Sequence, residues 1–136
     1  MHLTYESCNN RNNFMQKSAG AVITYEGKLL MLLRDNDPNI PNPDCWQLIG
    51  GYSEPGEEPM ETLMREAKEE ADITIKKEEI REIGKISISE KQEYFLYWVE
   101  LSEKEAGNIK LGNEGQAIEF VSVENLGPMK LVPALA

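Results

Sequence analysis

Between Gln92 and Leu101 the chain places large apolar side chains on both faces of what reads as one strand. Phe95, Tyr97, Val99 and Leu101 point one way, and Tyr94, Leu96 and Trp98 point the other. A strand with one face in water alternates apolar with polar residues, whereas a strand covered on both sides has no need to. The pattern predicts a layered α/β fold with helices on both faces of a central sheet. Other strands are expected around it. Ser18 to Tyr25 and Lys28 to Arg34 flank the turn-forming Glu26-Gly27 and read as a hairpin. Trp46 to Tyr52 reads as a short strand running into Gly50-Gly51, Lys85 to Ser89 as another, and Ala117 to Val123 as the last, leading to a short turn at Glu124-Asn125-Leu126. Asp35 to Asp44, with Pro38, Pro41 and Pro43, is a loop, and Ser102 to Gln116 is a charged, glycine-containing one. The polar, asparagine-rich start, Met1 to Lys17, holds enough apolar residues (Leu3, Tyr5, Phe14, Met15) for an edge strand, and Pro133 to Ala136 looks like the opening of a helix. No repeat or linker divides the 136 residues, so one domain over 1–136 is expected.

The period changes from Glu57 to Ala71, where Met60, Leu63, Met64, Ala67 and Ala71 form one apolar stripe of a helix. At about 100° per residue, Glu66, Glu69 and Glu70 fan over roughly a quarter of the circumference beside that stripe. Glu66 and Glu70 are a like-charge i, i+4 pair, which destabilises an isolated helix by a few tenths of a kcal/mol. A solvated acidic face is the ordinary explanation of such a cluster. Three features speak for a bound cation instead: the glutamates lie beside the buried stripe, they follow a Gly-Gly turn able to bring backbone carbonyls close, and Lys68 lies on another face. Hard oxygen ligands of this kind suit Mg²⁺ or Mn²⁺.

The remaining composition narrows the chemistry. The formal net charge of −10 opposes nucleic-acid polymers and anionic membranes, yet divalent ions let an acidic protein hold a polyphosphate. Cys8 and Cys45 are far apart with no CxxC pattern, and His2 is the only histidine, which leaves little material for a disulfide framework, a thiolate zinc site or a Ser-His-Asp triad. Without a signal-like or spanning apolar run, a cytoplasmic location is the default expectation.

Gly51, Glu57, Arg65, Glu66, Glu69 and Glu70 fall at the spacing of the Nudix box, G-x5-E-x7-R-E-U-x-E-E-x-G-U, within the stretch GYSEPGEEPMETLMREAKEEADI. Six fixed identities arise by chance on the order of 10⁻⁷ per starting position. The chain therefore resembles the Nudix hydrolases, and a second stretch, Gly112 to Gln116, resembles the loop that carries a further glutamate in MutT-like members. The resemblance implies an α/β/α sandwich with a mixed central sheet. It implies that Glu66, Glu69, Glu70 and Glu114 bind Mg²⁺ (or Mn²⁺), joined by the carbonyl of Gly50, and that Arg65 pairs with Glu57. On spacing alone Arg65 would be a surface partner of Glu61 or Glu69, and Glu114 an ordinary acidic turn.

The activity implied is metal-assisted in-line attack of water on a diphosphate, with Glu66 and Glu114 as candidate bases. Arg34 is a candidate for a phosphate or base contact, against a plain surface arginine. Trp46 is a candidate stacking residue, against a cap on the core. The expected partner is a small nucleotide or nucleoside diphosphate derivative, with nucleoside triphosphates favoured and ADP-ribose or a dinucleoside polyphosphate open, as is a homodimer. A Nudix-fold binding or regulatory module with weak turnover is the alternative. Two residues depart from the box pattern: Ile49 stands where many members have proline, and Asp72 where the box has its last glycine. Asp72 is expected to carry a modest stability cost in a left-handed helix cap.

Overall fold

A computed structural model of the chain describes residues 15–132. The expectations for Leu3, Tyr5, Phe14, His2, Cys8 and Pro133 to Ala136 lie outside these. Among the described residues, seven strands form one mixed sheet: β1 (Gln16–Tyr25), β2 (Lys28–Leu33), β3 (Trp46–Gln47), β4 (Ile49–Tyr52), β5 (Arg81–Ser89), β6 (Gln92–Glu100) and β7 (Ala117–Ser122). Helix α1 (Pro59–Ala71) and the short α2 (Glu103–Gly107) complete the sandwich. No helix among the described residues is long and apolar enough to cross a membrane.

The hairpin closes at Glu26-Gly27, both with positive φ (50° and 76°), the backbone twist that suits a two-residue turn between antiparallel strands. β1 is the hub of the sheet. It runs parallel to β6 from Gln16↔Gln92 to Thr24↔Glu100, while its other edge is shared between β2 at Thr24 and Tyr25 and β4 at Ser18 to Ala21. The Trp46 to Tyr52 run, expected as one strand, breaks at Leu48. Its first part pairs with β2 and its second with β1, so the chain crosses from one partner to the other just before Gly50-Gly51. β5 starts at Arg81, earlier than the sequence pattern shows, because an irregularity between Glu82 and Gly84 interrupts the alternation.

The alternation of β6 divides the core as read. Tyr97 and Val99 join Ala19, Ala21 and Ile23 of β1, Leu30 and Leu32 of β2, and Leu63, Ala67 and Ala71 of α1. Burying a side chain such as Leu63, fully inaccessible here, contributes about 1.5–3 kcal/mol. On the opposite face Met31, Leu48 and Val121 are covered, among the described residues, by Leu126, Met129 and Leu131 of the 126–132 segment, a turn at 126–129 followed by a bridge from Leu131 to Trp46, rather than by an α-helix. Trp98 on that face stays 37% exposed, with Arg81 stacked 5.2 Å from its ring.

Helix α1 begins two residues later than its glutamate pattern suggests. Pro59 occupies the first turn, where its missing N–H costs nothing, and the Glu58 N–H donates to Glu61 Oε1 at 2.8 Å. The helix ends in Asp72 at φ 56°, ψ 38°, the left-handed cap expected for that position. Lys68 Nζ reaches the Asp72 carboxylate at 2.8 Å and holds its pKa below the ordinary value.

Candidate active site

The site is assembled from α1 and two segments that dock on it. The first is the turn from Tyr52 to Glu58, held by Arg65. Its Nε donates to Glu57 Oε2 at 2.8 Å and its Nη2 to Glu57 Oε1 at 3.0 Å, the two-pronged pairing that a planar guanidinium favours. Nη2 also donates to the Tyr52 carbonyl at 3.1 Å, and Nη1 to Glu66 at 2.6 Å and Glu69 at 2.8 Å. Every side-chain nitrogen of Arg65 is therefore engaged. The guanidinium holds the Glu57 carboxyl down to about 2, far below the ordinary carboxylate range, helped by the Glu54 N–H and the Thr62 hydroxyl.

Thr62 was not singled out by its sequence, yet it is fully buried. Its hydroxyl lies 2.6 Å from Ser53 Oγ and 2.8 Å from Glu57 Oε1, so it ties the turn to the helix. The available signal was its place one turn before Glu66 on the same face. Gly51 gives the turn its close fit, since a Cβ there would stand 2.7 Å from Glu66 Oε2.

The second docked segment runs from Lys110 to Gln116. Lys110 N–H donates to the Ala71 carbonyl and Gly112 N–H to the Glu70 carbonyl, at 3.0 and 3.1 Å, using acceptors that the helix end leaves free. A Cβ on Gly112 would overlap the Glu69 carbonyl oxygen. On the other side Gly115 N–H donates to Asp35 at 3.1 Å, and the Gln116 amide donates to the Arg34 carbonyl and to Asp44, both at 2.8 Å. Held from two directions, the loop brings Glu114 and Asn113 to a cavity of about 280 Å³ shared with Arg65, Glu66, Glu69 and Glu70. Among the described residues the Glu114 carboxylate makes no ion pair.

That cavity opens into a cleft of about 560 Å³ lined by Arg34, Gln47, Gly50 and Gly51 together with Glu66, Glu70 and Glu114. Arg34 is fixed there, its Nε donating to the Pro41 and Asn42 carbonyls and its Nη1 to Gln47 Oε1 at 2.8 Å. A third, mainly apolar cavity of about 440 Å³ adjoins it, walled by Leu48, Ile86, Ile88, Tyr94 and Leu96. Gln47, which borders both of these larger spaces, and Tyr94 were absent from the expected site. Trp46 lines none of these cavities. It packs against the Met31, Leu48 and Val121 cluster, and its backbone pairs with 130–132, because neighbouring strand residues point to opposite faces and the cleft face of β3 is taken by Gln47.

The electrostatics test whether a divalent cation fits. Burial pushes the Glu70 carboxyl up to about 8, with Glu66, Glu114 and Glu69 adding repulsion against the single N–H of Gly50 that bonds it at 2.9 Å. Burial also raises Glu66, against the pull of Arg65. Four carboxylates thus border one small cavity whose one arginine is already engaged. The all-oxygen donor set is the chemistry that hard divalent cations take. As placed, Glu66 and Glu69 turn to Arg65 and Glu70 to Gly50, so among the described residues no three carboxylates meet at ligand spacing, and ligation requires them to rotate inward.

Comparison with known proteins places the chain among relatives. An ADP-ribose pyrophosphatase of Methanocaldococcus jannaschii is 27% identical over 105 residues, 77% of this chain, and the chain spans 60% of that relative's length. The crystal structure of a MutT protein from Methanosarcina mazei Go1 is 26% identical with a TM-score of 0.68, over 90% of this chain and 87% of that one. A MutT NUDIX hydrolase from Burkholderia pseudomallei, 22% identical, shares the fold at a TM-score of 0.71, over 88% and 91% of the two chains. The family profile of the NUDIX domain matches residues 15–136. With the box residues gathered on α1 and its turn, and the domain profile spanning all the described residues, the chain belongs to the Nudix family as a MutT-like member.

Proposed function

We propose that this protein hydrolyses a diphosphate bond in a nucleotide derivative, with Mg²⁺ or Mn²⁺ held by Glu66, Glu69, Glu70, Glu114 and the Gly50 carbonyl. The observation that carries the reading is the meeting of four carboxylates, from a helix and from a distant loop, on one cavity whose arginine is already engaged. A binding module has no need of so much unneutralised charge. The similarity to an ADP-ribose pyrophosphatase supports a diphosphate-linked nucleotide as substrate.

The cation, when bound, polarises the phosphoryl oxygens and stabilises charge on the leaving phosphate. The protein does the rest. Arg65 and Glu57 fix the turn against α1, so that Gly51 and Glu66 keep their spacing. Arg34, held by two carbonyls and Gln47, presents its guanidinium to a phosphate. Glu114 reaches the same cavity from the loop docked on the end of α1, and its carboxylate takes the proton of the attacking water. The water oxygen bonds to phosphorus, and the bridging oxygen leaves with its electron pair on the second phosphate.

The test is a magnesium titration of purified protein with a panel of nucleoside triphosphates and nucleoside diphosphate derivatives. Turnover of at least one compound, abolished by chelator and restored by Mg²⁺ or Mn²⁺, is expected. Full turnover in excess chelator, or none on any compound at saturating metal, overturns the reading.

A further inference from the structure

One carboxylate near the four glutamates belongs neither to α1 nor to the 110–116 loop. Asp35 follows Arg34 in the chain, and its Oδ1 accepts the N–H of Gly115, the residue after Glu114, at 3.1 Å. It borders a cavity of about 300 Å³ together with Arg34, Gln47, Glu70, Glu114 and Gly115. Its own backbone is cross-braced, because the Asp44 N–H donates to the Asp35 carbonyl at 3.0 Å and the Arg34 N–H to the Cys45 carbonyl at 2.9 Å. The carboxylate that meets Gly115 is thus held from the base of the 34–45 loop.

The bond gains weight from what lies on either side of Glu114. Among the described residues, the nearest backbone anchor before it is the Gly112 N–H on the Glu70 carbonyl, and the nearest after it is the Gly115 N–H on Asp35. Both anchors are glycines. Gly115 has φ 95°, a region glycine enters freely, so its own backbone does little to hold the turn. A peptide unit is planar from one Cα to the next, which puts the Gly115 N–H and the Glu114 Cα in one plane. Holding that N–H restrains the plane from which the Glu114 side chain leaves. Without the acceptor, the plane can turn about the glycine and take the carboxylate off the cavity it shares with Glu66, Glu69 and Glu70. The Gln116 amide, bonded to the Arg34 carbonyl and to Asp44, ties the loop one residue further on and does not act on that plane.

Resting on the hydrolytic reading above, we propose that Asp35 is a positioning residue, holding Glu114 on the metal cavity through the Gly115 N–H and touching neither cation nor substrate. The role requires an acceptor oxygen at that place and no charge, which separates it from the role of a metal ligand.

The experiment is a double-mutant cycle on the full chain, with initial rates on ADP-ribose and ATP, Mn²⁺ binding by electron paramagnetic resonance, and hydrogen exchange of the Gly115 amide by NMR. Asp35→Ala should lower kcat about tenfold, the effect of losing one hydrogen bond to a charged group, with KM moving less. Asp35→Asn keeps a side-chain oxygen that can accept the same N–H and should recover most of the loss. Added to Glu114→Gln, Asp35→Ala should lower kcat no further, because it acts through that carboxylate. The Gly115 amide should exchange faster in Asp35→Ala and not in Asp35→Asn. Additive losses in the double variant would overturn the proposal, since a merely structural role adds. So would a fall in Asp35→Asn as deep as in Asp35→Ala, which would make the charge of Asp35 its function. Unchanged Gly115 exchange in Asp35→Ala would overturn it even where turnover falls. Failure of the hydrolytic reading looks different: the wild type then neither binds Mn²⁺ nor turns over either compound, while Gly115 exchange still responds to Asp35→Ala.

Discussion

Helix α1 and the 110–116 loop both deliver carboxylates to the same cavity, by opposite means. On α1 the spacing is local: Glu66, Glu69 and Glu70 share a face because of the helical period, and Arg65 on the same helix holds the first two. On the loop nothing local places Glu114. Its position depends on backbone bonds to the end of α1 on one side and, on the other, on the Gly115 N–H bonded to the Asp35 carboxylate and the Gln116 side-chain amide bonded to Arg34 and Asp44. The helix therefore supplies carboxylates on a rigid backbone, and the loop supplies one whose placement rests on contacts distant in sequence.

The largest effect is expected on the helix. Glu70→Gln should lower kcat by about 10²–10³, as expected for removing a ligand that stabilises the transition state, while metal-free thermal stability stays equal or rises because burial and repulsion are relieved. A variant that melts lower yet keeps its specific activity would return Glu70 to a structural role. On the loop, Gly112→Ala forces a methyl group against the Glu69 carbonyl and should lift Glu114 away, lowering kcat by about 10–10² with the melting temperature nearly unchanged. Wild-type turnover in that variant would show that the loop tolerates displacement and would erase the contrast between the two regions.

How much of this was legible beforehand follows the same division. The glutamate face, the apolar stripe and the two-sided β6 are periodic features, so they can be read along the chain. The Glu57 to Arg65 pair came only through the family resemblance, because eight residues is not a helical neighbour spacing and Glu57 lies outside the helix. Loop docking, the Ser53–Thr62 hydroxyl pair and Gln47 depend on segments distant in sequence, where no period operates. Trp46 shows the cost. An aromatic beside a Gly-Gly turn reads equally as a stacking platform or a core residue, and only the pairing of β3 with β2 settles that Gln47 takes the cleft face and Trp46 the core. Likewise the irregularity at Gly84 hid the first residues of β5.

Smaller effects sharpen the picture of the turn that α1 holds. Thr62→Val removes a buried hydroxyl and leaves Ser53 and Glu57 each short of a partner, which should cost about 1–3 kcal/mol in urea unfolding, with Thr62→Ser recovering most of it. No loss in the valine variant would mean that the pair is incidental. The acid limb of stability should also report the turn. The Glu57 carboxyl sits at about 2 in the folded chain, against an ordinary 4.5, so protonation favours the unfolded chain. The stability this pairing contributes is complete above about pH 4.5 and is lost as pH falls through about 2. Metal-free Glu57→Gln should therefore show a flatter decline between pH 5 and 2 than the wild type, within the same pH series. Parallel declines would assign acid sensitivity to other groups.

Whether the helix and the loop act on one cation is open to a single titration, Mn²⁺ binding followed by electron paramagnetic resonance in the wild type, Glu70→Gln and Glu114→Gln. Both variants should bind Mn²⁺ about tenfold or more weakly, since each removes an oxygen donor from the same small cavity. Wild-type affinity in Glu114→Gln, alongside a loss in Glu70→Gln, would show that the loop carboxylate does not belong to the metal centre.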